Sequence, residues 1–221
     1  MPSIQATRTR HALIALAALC LAGAPGCNIV APVALLVHGP EKIPAAFPLP
    51  PERATVVLID TATTNPIRPA VRAAIAEQVG LDLMAHGGIK SVIDHRSAQS
   101  IASMDRLGNQ MPVSEIGRAV GAEIVVHVMV ESFGLTPDGQ VYTPTTSLRI
   151  KVIDASDEAR LFPDEREGKP VVITRRVSAT TLPARGSDWT NAELEFATYT
   201  GTAIAQMFYE HERLNSHLVG R

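Results

Sequence analysis

Several chemistries are closed to this 221-residue chain by what it lacks. It has two cysteines, Cys20 and Cys27, and no C-x-x-C spacing, so neither a dithiol couple nor a cysteine-rich metal site is present. No H-E-x-x-H, phosphate-cradling glycine loop or G-x-S-x-G occurs, which removes the common zinc-protease, nucleotide and serine-hydrolase signatures. Asp60-Thr-Ala-Thr-Thr-Asn-Pro66 follows the first expected strand with no glycine, so a dinucleotide cannot approach the backbone there. Beyond the first turns of the chain, the only adjacent basic pair is Arg175-Arg176, and the formal charge is -2. Nucleic acid needs clustered Lys and Arg to displace counterions, so it is not an expected partner.

What is present begins at the N-terminus. Arg8 and Arg10 precede the apolar run Ala12 to Ala24, which ends in Pro25-Gly26-Cys27. A basic start, roughly 13 apolar residues and a small residue before the cut make a secretory leader, too short for the ~20 residues of a spanning helix. Ala24-Pro25-Gly26-Cys27 resembles the lipobox of bacterial lipoproteins at Gly26 and Cys27, and departs from it at Ala24 and Pro25. The resemblance implies that Cys27 carries a diacylglyceryl group and becomes the first residue of the mature chain. A plain secretory cut near Gly23 or Ala24, or a retained anchor prolonged by Ile29 to Val37, are the alternatives; Pro25, Asn28 and Pro32 oppose one continuous helix. Cys20 leaves with the leader, so one cysteine remains; no intrachain disulfide can form, and lipid blocks the last thiol.

Removing residues 1–26 takes away two arginines and no acids, so the formal charge falls from -2 to -4. Residues 27–52 hold six prolines, a density that disfavours helix and suits extended chain. They read either as a semi-rigid tether or as an arm laid along the domain by Ile43, Phe47 and Leu49. Residues 53–212 form one expected globular domain and 213–221 a tail.

Within that domain, Ala54 to Asp60 is a continuous β-branched run expected as a central strand. Val71, Ile75, Val79 and Leu83 mark a helix over Pro66 to His86, with Thr64 or Asn65 as its cap. A strand at Ile89 to Asp94 and helices at Ser97 to Arg106 and Pro112 to Val120 follow. Ile124 to Phe133 is the strongest strand, and Thr145 to Asp154 alternates Leu148, Ile150 and Val152 against Arg149 and Lys151. Asp138-Gly139 signals a turn, so these two pair antiparallel. Val171 to Ala179 is a further strand, and a last helix runs from Asn191 to His211 behind Asp188 or Thr190. The expected class is α/β (α+β): a mixed sheet of four to five strands, with helices packed on it, in the order β-α-β-α-α-β-β-β-α.

This order, with Ile89-Lys-Ser-Val-Ile-Asp94, Ile116-Gly-Arg-Ala-Val-Gly121-Ala-Glu-Ile-Val-Val126 and Val152-Ile-Asp154-Ala155, resembles a group of envelope lipoproteins. Its fold is shared by the curli-secretion lipoprotein, the penicillin-binding-protein activator lipoproteins and the N-terminal domain of the Tol system's β-propeller protein. The resemblance covers residues 53 to 155 and implies a non-enzymatic domain that binds another envelope protein or itself. The short Thr136 to Pro144 connection departs from the long hairpins of pore-forming members, so no pore is expected. None of the group's binding residues has a counterpart here.

Among the histidines, His86 and His211 fall at helix ends, and His127 lies inside an apolar strand, where a hydrogen-bonded core histidine is expected. His95 and Asp94 follow the second strand, and with Asp60 they are the candidate acid/base or metal set of an alternative reading, a hydrolase acting on cell-wall material. The acids Asp154, Asp157, Glu158, Asp164, Glu165 and Glu167 lack the spacing of a calcium loop and read as solvated. Trp189 reads as a core anchor or an interface residue. The expected function is therefore a lipid-anchored, periplasm-facing protein-binding domain without cofactor or metal, with a self-assembling structural lipoprotein as a third reading. Asn28 after the cysteine favours the outer membrane by analogy.

Overall fold

The computed structural model describes residues 42–62, 64, 66–104, 111–137, 139, 141–177, 183 and 186–212. The leader, Cys27, the first part of the proline-rich segment and the tail from 213 lie outside them. Among the described residues no helix is long and apolar enough to cross a membrane.

The elements are β1 (Lys42–Ile43), β2 (Thr55–Thr61), α1 (Pro69–Ala85), β3 (Val92–Ile93), α2 (His95–Met104), α3 (Val113–Ala119), β4 (Ile124–Gly134), β5 (Thr145–Asp154), β6 (Arg160–Phe162), β7 (Lys169–Thr174), α4 (Ser187–Ala205) and β8 (His211–Glu212). The α+β class is as expected: a six-stranded mixed sheet ordered β3-β2-β4-β5-β6, with β7 also paired to β5, and helices on both faces. β2 runs parallel to β3 and β4, whereas β4–β5 and β5–β7 are antiparallel. The register of β2 and β4 sets Leu58 opposite His127 and Asp60 opposite Met129.

Strand alternation divides the side chains between two faces. Val57, Ile59, Val126, Val128, Leu148, Ile150 and Val152 meet Val71, Ile75, Val79 and Leu83 of α1 and Ala197 and Ile204 of α4 in the main core. On the other face Val56, Leu58 and Val125 meet Ala98 of α2 and Ile116 of α3. One glycine on each face permits close approach. A Cβ on Gly201 would stand 2.8 Å from the Ile75 carbonyl, so α4 can lie against α1; on Gly117 it would stand 2.4 Å from Val125 Cγ2.

Several expected boundaries move. The helix begun at Pro66 starts at Pro69, with Arg68 rather than Thr64 or Asn65 at its cap position. The strand at Ile89 to Asp94 shrinks to Val92–Ile93, because only Thr55 and Val56 of β2 reach it. The strand expected to Ala179 stops at Thr174, where its partner β5 begins at Thr145. The final helix starts four residues early, behind Gly186 at φ 93°, and ends at Ala205 before a 3-10 turn, Gln206–Phe208. Three short strands were not expected: β6, which pairs the end of β5, and the β1–β8 ribbon.

That ribbon decides between tether and arm for residues 42–52. Lys42 pairs with Glu212 and Ile43 with His211 across the two strands. The Met207 carbonyl accepts hydrogen bonds from the Ala46 and Phe47 amides at 2.8 and 3.1 Å. Phe47 stacks on Phe162 at 5.5 Å between centroids, and Leu49 is buried in the main core. This stretch is therefore a packed arm, held by the apolar residues that its prolines leave free to turn inward.

Candidate functional site

Asp60 ends the apolar run of β2 on the face that carries α2 and α3. Its Oδ2 accepts a hydrogen bond from His127 Nε2 at 2.8 Å. His127 is 8 % exposed, so the expected core histidine is found, and its partner is the carboxylate assigned above to the Asp60–Asp94–His95 set. The missed signal was parity: Asp60 and His127 are the polar exceptions of two apolar strands, and the parallel register makes them diagonal neighbours on one face.

Asp94 does another job. Its Oδ1 accepts the Arg96 amide at 2.9 Å, and its carbonyl accepts the Ser97 hydroxyl at 2.6 Å, so it closes the turn into α2. His95 opens that helix. Its Nδ1 lies 3.7 Å from Asp94 Oδ1, while Nε2 is buried with no hydrogen-bond partner. Burial pushes the imidazole pKa below its usual value, Asp94 opposing and Arg96 adding to the effect.

Asp60 and His95 do share a cavity. It has a volume of about 560 Å³, within the usual range of small-molecule sites, and opens between the end of β2 and the first turns of α1 and α2. Its lining includes Thr61, Arg72, Arg96, Gln99, Ser100 and Ser103. Asp94 lines instead a second cavity of about 220 Å³, behind His95. The three candidates thus divide between a cavity wall, a helix cap and a residue between the two. Sequence reasoning missed Arg72, whose Nε is buried without a partner. Its next neighbours in sequence, Val71 and Ala73, are apolar, and nothing local marks where its guanidinium goes.

The position of this cavity follows from chain topology. From β2 the chain leaves through α1 to β3 on one side, then crosses back through α2 and α3 to β4 on the other. Connections that diverge from the carboxyl ends of parallel strands leave a crevice, the usual place for ligands in open sheets.

Elsewhere several charged groups pair. Arg53 donates to Asp154 at 2.6 Å and to Glu123 at 2.9 Å, and that hydrogen bond, with the Ser156 amide, holds the Asp154 carboxyl down at about 2. Glu158 pairs with Arg118, and Glu167 with Arg149, so these acids of the 154–167 stretch face separate arginines. Among the described residues no group of three or more His, Cys, Asp or Glu side chains converges as a metal set. Trp189 donates to Glu193 at 3.0 Å and packs beside Leu135, Ala192 and Phe196, as a half-buried anchor of α4.

No protein-family model matches this chain, and no curated protein sequence matches it. Solved structures that match it include a leucine-to-methionine variant of the PelC dodecamer from Paraburkholderia phytofirmans, at 17 % identity over 76 % of this chain and 95 % of that one, TM-score 0.41. Lipoprotein GNA1162 from Neisseria meningitidis is 11 % identical over 70 % of this chain and 97 % of that one, TM-score 0.37. Protein XCC0632 from Xanthomonas campestris is 13 % identical over 75 % and 88 %, TM-score 0.39.

Proposed function

We propose that this chain is a lipid-anchored, non-catalytic domain of the bacterial envelope, exported through residues 1–26, acylated at Cys27 and acting by binding another protein. The leader with its cysteine supports export and acylation. The observation that carries protein binding is strand β7. Among the described residues it pairs only with β5, its outer edge meets no strand, and Val172 is 70 % exposed.

Open edges of this kind accept an added strand unless blocked. Lys169 and Pro170 block the first half, since proline offers no amide donor, which leaves residues 171–174 as the accessible segment. Arg175 does not guard it. Its guanidinium turns onto α4, 2.7 Å from Glu195 and 5.7 Å above the Tyr199 ring.

A photo-reactive side chain at position 172, in protein anchored in intact envelopes, should yield one discrete adduct; the same group at exposed Glu77 should yield none. Indistinguishable adduct patterns at the two positions would remove β7 as the binding edge. The same preparations test the anchor: mass spectrometry should find an acylated peptide beginning at Cys27, lost on Cys27→Ser.

A further inference from the structure

The crevice at the end of β2 carries two arginines, Arg72 and Arg96, on its wall. Arg72 sits in the first helical turns of α1 and Arg96 in the first turn of α2, and neither helix has an acid in its first turn. Helix N-termini carry partial positive charge and favour anions, so arginine is the wrong sign for helix stability at both places. Arg96 has only Asp94, at 3.9 Å, and its side chain is 71 % exposed. Arg72 has no ion-pair partner among the described residues, and its Nε is buried without a hydrogen bond.

A guanidinium stays charged, and leaving one of its donors buried without a partner is costly. Local choices that run against stability mark places where another molecule completes the structure. Asp60 is the carboxylate on the described lining, and its Oδ2 is already engaged by His127. Beyond the arginines, Gln99, Ser100 and Ser103 supply neutral hydrogen-bonding groups.

We infer that this crevice is a binding site for a small oxyanion, the phosphoryl or carboxylate group of a polar molecule, with Arg72 as its principal ligand and Arg96 at the mouth. Arginine suits this class because its planar fork meets two oxygens at once, and two converging helix starts add favourable potential. A volume of about 560 Å³ leaves room for the neutral body of such a molecule against the serines and Gln99.

The test is thermal unfolding and calorimetric titration of the full chain with inorganic phosphate and, separately, acetate, with ionic strength held constant by sodium chloride. At least one oxyanion should bind saturably and raise Tm beyond chloride, by a few degrees at a hundredfold excess over Kd. The tighter of the two identifies the group. Arg72→Gln should weaken that binding at least tenfold, yet melt no lower than the unliganded parent, because it removes a buried donor, Nε, that has no hydrogen bond. Should Arg72→Gln fail to fold, exposed Arg96→Gln decides, with a several-fold loss expected. Binding of neither anion beyond chloride, or undiminished binding by the deciding variant, overturns the inference.

Discussion

On one face of the sheet, nine valine, isoleucine and leucine side chains from β2, β4 and β5 lie under two long helices. On the other face two short helices cover only the end near Val56, Leu58 and Val125; beyond them the same strands present Asp60, His127, Arg149, Lys151 and Ser147. Glu131 and Glu167 both pair with Arg149 there, at 2.5 and 2.9 Å, and the hydroxyls of Ser132 and Ser147 meet at 2.7 Å. The first face is held by burial of apolar area, which no partner can use. The second is held by contacts that water weakens; exposed Val172 lies on it, and so does the Asp60 wall of the crevice, whose opposite wall comes from α1. The apolar and the polar side chains are thus assigned to opposite sides of one sheet, and a strand serves both because successive residues point opposite ways.

The sharpest way to break that division is through the buried face. Phe196 is fully buried between Leu135, Phe133 and Tyr199, with its ring 4.9 Å from that of Phe133. Phe196→Ala should cost about 3–5 kcal/mol, read as a lowered urea midpoint at unchanged slope.

A middle-sized effect is expected where the arm joins the sheet. Asp154 has a folded pKa of about 2 against an ordinary 3.8, because Arg53 donates to it. A depressed carboxylate contributes stability that is complete above its unfolded value and is lost as pH falls through the folded one, here between about pH 4 and pH 2. With screening by water allowed for, the loss should be about 1–2 kcal/mol. Urea titrations at pH 5 and pH 2 should show it, and Arg53→Met should flatten the dependence in that window.

The smallest effects belong to the polar face. Arg149 and its two glutamates are all in contact with solvent, so Arg149→Met should change stability by no more than about 1 kcal/mol. Val172→Thr should stay within about 0.5 kcal/mol while reducing any partner adduct formed at β7. A destabilisation by Val172→Thr as large as that by Phe196→Ala would show that the edge belongs to the core after all.

Much of this architecture was legible in local pattern. The period of Val71, Ile75, Val79 and Leu83 predicts α1, and the alternation of β5 predicts a strand with one wet face; both elements are found within a few residues of their expected limits. Their ends were less legible, because a strand stops where its partner stops: β7 ends opposite Thr145, not where its own β-branched run ends. The candidate site was half legible. Asp60 and His95 do line one cavity, but Asp94 is spent on a turn, the core histidine His127 was legible without its partner, and Arg72 carried no local mark.

By itself, then, the order of residues determined the main helices and strands and the face each strand residue occupies, since all of these depend on neighbours within a turn or two. Only the tertiary structure decided that residues 42–52 pack as an arm, that Asp60 meets His127 rather than Asp94, and that Arg72 enters a crevice without a partner. Those outcomes rest on strand register and on which helix covers which face. They join residues tens of positions apart, where periodicity carries no information and packing alone chooses the neighbours.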